Sequence, residues 1–213
     1  FTRDEQQYQA MSYLDGLYHQ LNDSVAQKKG FFSFLKSKPA APKGLYMWGG
    51  VGRGKTWMMD MFYDSLTIER KMRQHFHHFM QRVHQELNNL QGQSDPLEKV
   101  ADIIYAEAVI ICFDEFFVSN VSDAMILGDL FTMLFNRGVT LVATSNIEPA
   151  GLYKDGLHRD RFMPAIAEVE RHTTVMNIDS GIDYRLRVLQ QAELYESPLT
   201  KANHHWLANR FAS

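Results

Sequence analysis

The sequence predicts an α/β protein wound around a parallel sheet of five strands, and three observations carry that prediction. Short apolar runs alternate with longer segments of helical periodicity along most of the chain. Two of the runs, residues 45–48 and 108–113, are apolar at every position, as strands buried on both faces of a parallel sheet must be. Each of these two runs leads at its C-terminal end into residues that carry chemistry, the first into a glycine-rich loop and the second into paired carboxylates.

Taken in order, residues 4–27 place Tyr8, Met11, Leu14, Leu17, Tyr18, Leu21 and Val25 at spacings of three and four. This is an amphipathic helix expected to pack on the domain, with membrane or partner attachment as the competing use of its apolar face. Residues 28–43 then carry Lys28, Lys29, Lys36, Lys38 and Lys43 with no acidic residue among them. Phe31, Phe32, Phe34 and Leu35 interrupt the basic run, and Gly30, Pro39 and Pro42 break any regular element. The stretch reads as a linker with a small apolar anchor. A basic-aromatic contact for lipid, nucleic acid or a protein partner is the functional alternative.

The strand at 45–48 runs into Gly49, Gly50, Val51, Gly52, Arg53, Gly54, Lys55 and Thr56, which fit the phosphate-loop pattern G-x-x-x-x-G-K-[ST] at every required position. Glycines let such a loop turn and bring backbone N–H groups close to phosphate oxygens. Lys55 is placed to reach the β- and γ-phosphates of a nucleotide, and the Thr56 hydroxyl to ligate Mg²⁺. Trp57, Met58, Met61 and Phe62 continue as a helix, so the order strand, loop, helix that the motif needs is present.

Next, alternation over residues 71–77 predicts a short strand, followed by a helix with Phe79, Val83, Leu87 and Leu90 on one face. His75, His77, His78 and His84 invite a metal reading, but no cysteine or spaced carboxylate completes a ligand set, and an edge strand entering a helix tolerates histidines. A turn at 92–96 and a helix at 97–107 precede the strand at 108–113. Asp114 stands at its end, placed to hold hydrated Mg²⁺, and Glu115 is placed to orient and polarise an attacking water. Simple strand-end acids are the competing reading. A helix at 121–135 stops at Gly138. The strand at 139–144 follows and ends in Ser145 and Asn146. Asn146 could bond the γ-phosphate or the attacking water, or serve only as a turn residue before Pro149. Lys154, His158, Arg159 and Arg161 lead into a helix at 160–171 with Phe162, Ile166 and Val169 apolar, and a last strand is expected at 173–178.

Composition narrows the function classes. The 213 residues are enough for one α/β domain with a substantial core, and 45% hydrophobic residues exclude disorder as a description of the whole. A formal net charge of −3 gives no global attraction to nucleic acid or anionic lipid. The single cysteine, Cys112, cannot form an intrachain disulfide, which fits a reducing, cytoplasmic compartment. No apolar stretch reaches the ~18 residues of a membrane span, and no signal peptide is visible. Beginning at Phe1, the chain reads as part of a longer one.

The blocks GGVGRGKT, AVIICFDEFF, LVATSN, GLHRDRFMPAI and GIDYR stand in one order, and together they resemble the AAA+ ATPases. Within these the chain is similar to the ZapE/AFG-one-like family over roughly residues 1–187, through GLYMWGGVGRGKTWMMDMFYDSL, HFHHFMQRVHQEL, CFDEFFVSNVSDAMIL and LVATSNIEPAGLY. The resemblance implies a P-loop NTPase sheet in the order 5-1-4-3-2. It also implies an N-terminal helix and linker at 1–43, an ATPase core at 44–187, and the start of a C-terminal helical region at 188–213. Residue by residue, it makes Asp114 and Glu115 the Walker B pair and Asn146 the sensor 1 residue. Arg159, in Leu157-His158-Arg159-Asp160-Arg161-Phe162, becomes the first choice for an arginine finger, with Arg161 second and Arg185 a sensor-2-like contact. It further implies Mg²⁺-dependent ATP hydrolysis coupled to remodelling of a protein client, with the FtsZ filament of the division ring at the inner membrane face as first candidate. Homo-oligomer formation is implied with it. Quality control of membrane-protein clients, a helicase-loader-like ATPase that binds nucleic acid, and a nucleotide-gated scaffold are the alternatives.

Overall fold

A computed structural model of the chain describes residues 5–28 and 41–179. Six helices and five strands follow one another as α1 (Glu5–Lys28), β1 (Gly44–Trp48), α2 (Lys55–Ser65), β2 (Lys71–His75), α3 (Phe76–Asn89), α4 (Pro96–Glu107), β3 (Ile110–Asp114), α5 (Val121–Arg137), β4 (Thr140–Ser145), α6 (Arg159–His172) and β5 (Thr173–Asn177). The strands form one sheet in the order β2-β3-β4-β1-β5, which from the other edge is 5-1-4-3-2. Every neighbouring pair is parallel.

Side-chain alternation divides the sheet into two faces. Leu45, Met47, Ile110, Cys112 and Val142 turn to one face and pack with α1 and α2, through Ala10, Leu14, Leu17, Leu21, Met58, Met59 and Phe62. Tyr46, Ile111, Phe113, Leu141 and Ala143 turn to the other, against α3, α4, α5 and α6. The N-terminal helix is therefore part of the core: Leu14, Leu17 and Leu21 are each at most 3% exposed. At about 1.5–3 kcal/mol for a fully buried leucine, that face holds α1 firmly to the sheet. Tyr13 adds polar ties, donating to the Lys43 carbonyl (3.0 Å) before β1 and accepting from Thr174 Oγ1 (2.8 Å) on β5.

Two local features depart from the sequence-based expectation. Strand β2 ends at His75, so His77 and His78 ride on α3 and do not extend the strand. The reason is the core: Phe76, Phe79, Met80 and Val83 are all buried, and their spacing of three and four is satisfied only by a helix beginning at Phe76. Along α2, Met58 and Phe62 are buried as expected, whereas Trp57 and Met61 face outward at 62% and 42% exposure. On the opposite face, Gly128 lets α5 and α6 approach closely, since a Cβ there would lie 3.3 Å from the Ala165 nitrogen. Asn120 caps α5 by accepting from the Asp123 N–H at 3.1 Å.

No helix among the described residues is long and apolar enough to cross a membrane. Most of the basic stretch at 28–43, Arg185 and the expected C-terminal region at 188–213 lie outside the described residues.

Candidate nucleotide-binding site

The C-terminal ends of β1, β3 and β4 lie side by side, and the polar residues that follow them form one connected cluster. The loop 49–54 leaves β1 and turns into α2. Gly49 (φ 138°), Gly52 (φ 80°) and Gly54 (φ 75°) take the left-handed backbone that glycine tolerates. Gly49 is also closely packed: a Cβ would come within 3.2 Å of both the Asn177 side chain and the Asp179 nitrogen, and these would have to shift to admit it. Gly54 begins α2 with no side-chain cap, so the first N–H groups of the helix and the positive end of its dipole point into the loop.

Lys55 and Thr56 occupy the first turn of α2 and reach in different directions. The Lys55 ammonium is 7% exposed and donates to the carbonyls of Gly49 (2.8 Å) and Gly50 (2.7 Å) and to Asn146 Oδ1 (3.4 Å). Burial pushes its pKa below the usual lysine value, opposed chiefly by the carboxylate of Asp179. Thr56 Oγ1 donates to Asp114 Oδ1 at 3.1 Å, and Thr144 Oγ1, at the end of β4, donates to the same oxygen at 2.8 Å. The other oxygen, Oδ2, is 3.5 Å from Arg73 Nη2. Asp114 is thus 5% exposed yet supplied with donors from three elements, which is what a buried carboxylate requires. The adjoining Thr56 hydroxyl and Asp114 carboxylate are hard oxygen ligands of the kind Mg²⁺ takes, and the pair fits that ion.

Glu115 takes a left-handed conformation (φ 52°) that turns its side chain out of the strand line, 79% exposed, with Oε2 3.8 Å from His75 Nδ1. Its N–H donates to Thr144 Oγ1 at 3.2 Å, and the Phe116 N–H to the Thr144 carbonyl at 2.7 Å. Asn146 is set by the turn it belongs to. Ser145 Oγ donates to the Phe116 carbonyl (2.8 Å) and accepts from the Ile147 N–H (3.1 Å), while the buried Tyr46 hydroxyl donates to the Ile147 carbonyl (2.8 Å). Arg53 turns back from the loop to pair with Asp179 at 3.0 Å. From α1, Gln7 Nε2 donates to the Arg53 carbonyl at 3.0 Å, so the first helix braces the loop.

Lys55, Thr56, Asp114 and Asn146 are therefore gathered in one cluster, and Glu115 joins it through its backbone N–H while its carboxylate faces His75. Arg159 is held elsewhere: at the start of α6 it donates to the Ala150 carbonyl (2.6 Å) and contacts Met163 Sδ (3.2 Å). Its Nε is buried without a hydrogen-bond partner among the described residues. Arg161 is exposed. The histidines fall in two places. His75 and His78 stack edge to face beside Glu115, while His84 Nε2 lies 2.6 Å from Asp123 Oδ1 at the start of α5. Gln7, Arg73 and Thr144 are the site residues that sequence reasoning passed over. The signal available for Thr144 was a hydroxyl residue at the C-terminal end of a mostly apolar strand. Arg73 entered the sequence reading only as one polar position in the alternation over residues 71–77.

The profile of the AFG1-like ATPase family matches residues 1–213. The cell division protein ZapE of Escherichia coli K12 is 54% identical over 207 residues, covering 92% of this chain and 55% of that protein. The lactation elevated protein 1 homolog B of Danio rerio is 41% identical over 182 residues, covering 80% of this chain and 36% of that one. The chain thus spans about half the length, or less, of these two curated relatives. Among solved structures, AMPPCP-bound DnaA from Aquifex aeolicus is similar with a TM-score of 0.58 at 14% identity, covering 97% of this chain and 57% of that one, a likeness of fold. With a family profile that covers every residue, on a parallel P-loop sheet whose strand ends gather Lys55, Thr56 and Asp114, the chain belongs to the AFG1-like ATPase family.

Proposed function

We propose that this chain is the catalytic core of an ATPase that hydrolyses ATP with Mg²⁺ and couples hydrolysis to remodelling of a protein partner in bacterial cell division. One observation carries the reading of the chemistry. On the first turn of α2, the buried Lys55 ammonium lies against the phosphate loop while the adjacent Thr56 hydroxyl meets the Asp114 carboxylate at 3.1 Å. Loop N–H groups at 49–56 and the helix N-terminus receive the phosphates, and Lys55 exchanges its loop carbonyls for β- and γ-phosphate oxygens. Thr56 and Asp114 would hold Mg²⁺, which would supply neutralisation of the phosphate charge. The exposed Glu115 carboxylate orients and deprotonates the attacking water. Asn146, tied to Lys55 through its Oδ1, positions that water or the γ-phosphate.

Arg159 serves the site of a second copy. It stands on the exposed start of α6, with Leu157 at 73% and Met163 at 43% exposure beside it. Beyond the phosphate loop, Trp57 and Met61 are an equally exposed apolar pair. Apolar patches of this kind on two surfaces support assembly of copies in a head-to-tail ring, in which an arginine reaches a neighbour's γ-phosphate. The likeness to a cell division protein supports a client in bacterial cell division, and the client proposed is the FtsZ filament of the division ring, at the cytoplasmic face of the membrane.

The test is ATP turnover by the protein alone, with FtsZ filaments, and with single-stranded DNA. Stimulation by FtsZ alone is the expected result. Stimulation by DNA alone would replace the client with nucleic acid, and turnover by none of the three would overturn the enzyme reading.

A further inference from the structure

No motif reading gave Arg73 or Asp60 a role, yet they close a circuit around Asp114. Arg73 is on the edge strand β2, in register with Cys112, two residues before Asp114 on the same face of the sheet. From there its guanidinium reaches the strand end, with Nη2 3.5 Å from Asp114 Oδ2, while its Nε is paired with Asp60 Oδ1. Asp60 is on α2, one helical turn beyond Thr56, so both residues lie on the helix face turned to β2 and β3. Thr56 holds one oxygen of Asp114 directly, and Asp60 holds the other through Arg73. A planar guanidinium can serve two carboxylates at fixed angles, which a single ammonium cannot.

We infer that Arg73 is a positioning residue that fixes the orientation of the Asp114 carboxylate and thereby sets how tightly the site takes Mg²⁺. The inference rests on the nucleotide-site reading above. Two opposing effects must be weighed. A guanidinium beside Asp114 repels an incoming cation, but Asp60 neutralises it, so the pair carries little net charge toward the ion. What remains is geometry. Asp114 Oδ1 is already fixed by Thr56 and Thr144, and without Arg73 the second oxygen of this buried side chain would lose the donor that faces it. Outer partners that orient a metal-binding carboxylate are typically worth about 10–100-fold in metal affinity.

The experiment is binding of a fluorescent ATP analogue to the whole chain, measured in EDTA and across a Mg²⁺ titration, with the melting temperature of each variant recorded alongside. Arg73→Gln is expected to retain analogue binding in EDTA, because Lys55 and the loop are untouched. It should raise the Mg²⁺ concentration for half-effect by about tenfold or more. Arg73→Lys should not restore it. Asp60→Asn, which keeps the arginine but removes its anchor, should shift the midpoint in the same direction by less, and it serves as the readout should Arg73→Gln fail to fold. An unshifted Mg²⁺ midpoint in a folded Arg73→Gln or Asp60→Asn variant would overturn this inference alone. Absence of analogue binding by the wild-type chain would overturn the nucleotide-site reading and this inference with it.

Discussion

Around Asp114 polar groups are turned inward. Its oxygens receive Thr56, Thr144 and Arg73, from α2, β4 and β2, and the neighbouring Lys55 is folded onto loop carbonyls. Around Arg159, at the start of α6, the opposite holds: its partners are one thioether and one carbonyl, four and nine residues away in sequence, and Leu157 and Met163 beside it face outward. Glu115 stands on the border, 79% exposed where Asp114 beside it is 7%. Under the proposed function, the difference separates two kinds of functional residue. Groups that bind a ligand inside the chain are fixed in advance by neighbours from several elements, which removes the cost of ordering them later. A group that completes a site on another molecule is presented at the surface, with its own helix as support.

The inward region should fail most completely. Lys55→Ala removes the buried ammonium and the hydrogen bonds that gather the loop, so binding of a non-hydrolysable ATP analogue should fall below detection by isothermal titration, and turnover with it. Unchanged affinity and rate would remove the phosphate-loop assignment, and the inward cluster would then be only a structural network.

The outward region should fail differently. Arg159→Ala is expected to bind the analogue normally and to hydrolyse ATP about 10³-fold more slowly, the scale of an arginine supplied in trans. Mixing Arg159→Ala with Lys55→Ala should restore part of the activity, because one kind of mixed interface pairs an intact loop with an intact arginine. Specific activity independent of protein concentration, with no rescue on mixing, would rule out a shared site. If Arg161→Ala alone reproduced the defect, the arginine finger would move two residues along α6 and the comparison would survive.

Glu115 tests the border between the two. Glu115→Gln keeps the shape and removes the base, so analogue binding should persist while hydrolysis slows about 10²-fold or more, the scale of a lost general base. A single-turnover rate within a factor of about two of wild type would make Glu115 a strand-end acid only.

The inward region was also the more legible one in sequence, and only in part. The phosphate loop is contiguous, and Asp114 follows an apolar run that could only be a buried strand, so both could be read without coordinates. The partners of Asp114 could not. Thr144 lies 30 residues away and Arg73 lies 41, and they meet Asp114 only because β2, β3 and β4 are neighbours in a particular register. Hydrogen bonds across a parallel sheet leave no periodic trace along the chain. The strand expected at 71–77 was too long for a related reason. Alternation and helical spacing both fit its last residues, and burial of Phe76 with Phe79 and Val83 decided for the helix. Gln7 escaped notice because its neighbours on α1 announced an apolar face, while its amide reaches the loop from the helix's first turn.

The smallest expected effect concerns the far end of α6, where the helix that presents Arg159 is anchored. His172 stacks on Phe135 of α5, ring centroids 4.2 Å apart and planes 13° from parallel. Burial pushes its pKa below the usual histidine value, and the nearby carboxylate of Glu168, 3.4 Å away, only partly opposes this, with Arg171 and Lys43 adding to the downward push. The folded state thus binds a proton on His172 less readily than the unfolded chain does. Stability from this group is fully present above about pH 6.5, the unfolded value, and is lost as pH falls through it toward the lower folded value. His172→Phe keeps a stacking ring and removes the titration, so its melting temperature should fall less than that of the wild type between about pH 7.5 and 5.5. Contributions from all other groups are common to both proteins and cancel in that difference. Parallel melting curves over this range would mean that the anchored end of α6 does not sense protons. Analogue binding at pH 7.5 should be the same for both, because His172 lies at the opposite end of α6 from Arg159 and packs on Phe135 and Glu168 rather than at the strand ends that carry the nucleotide site.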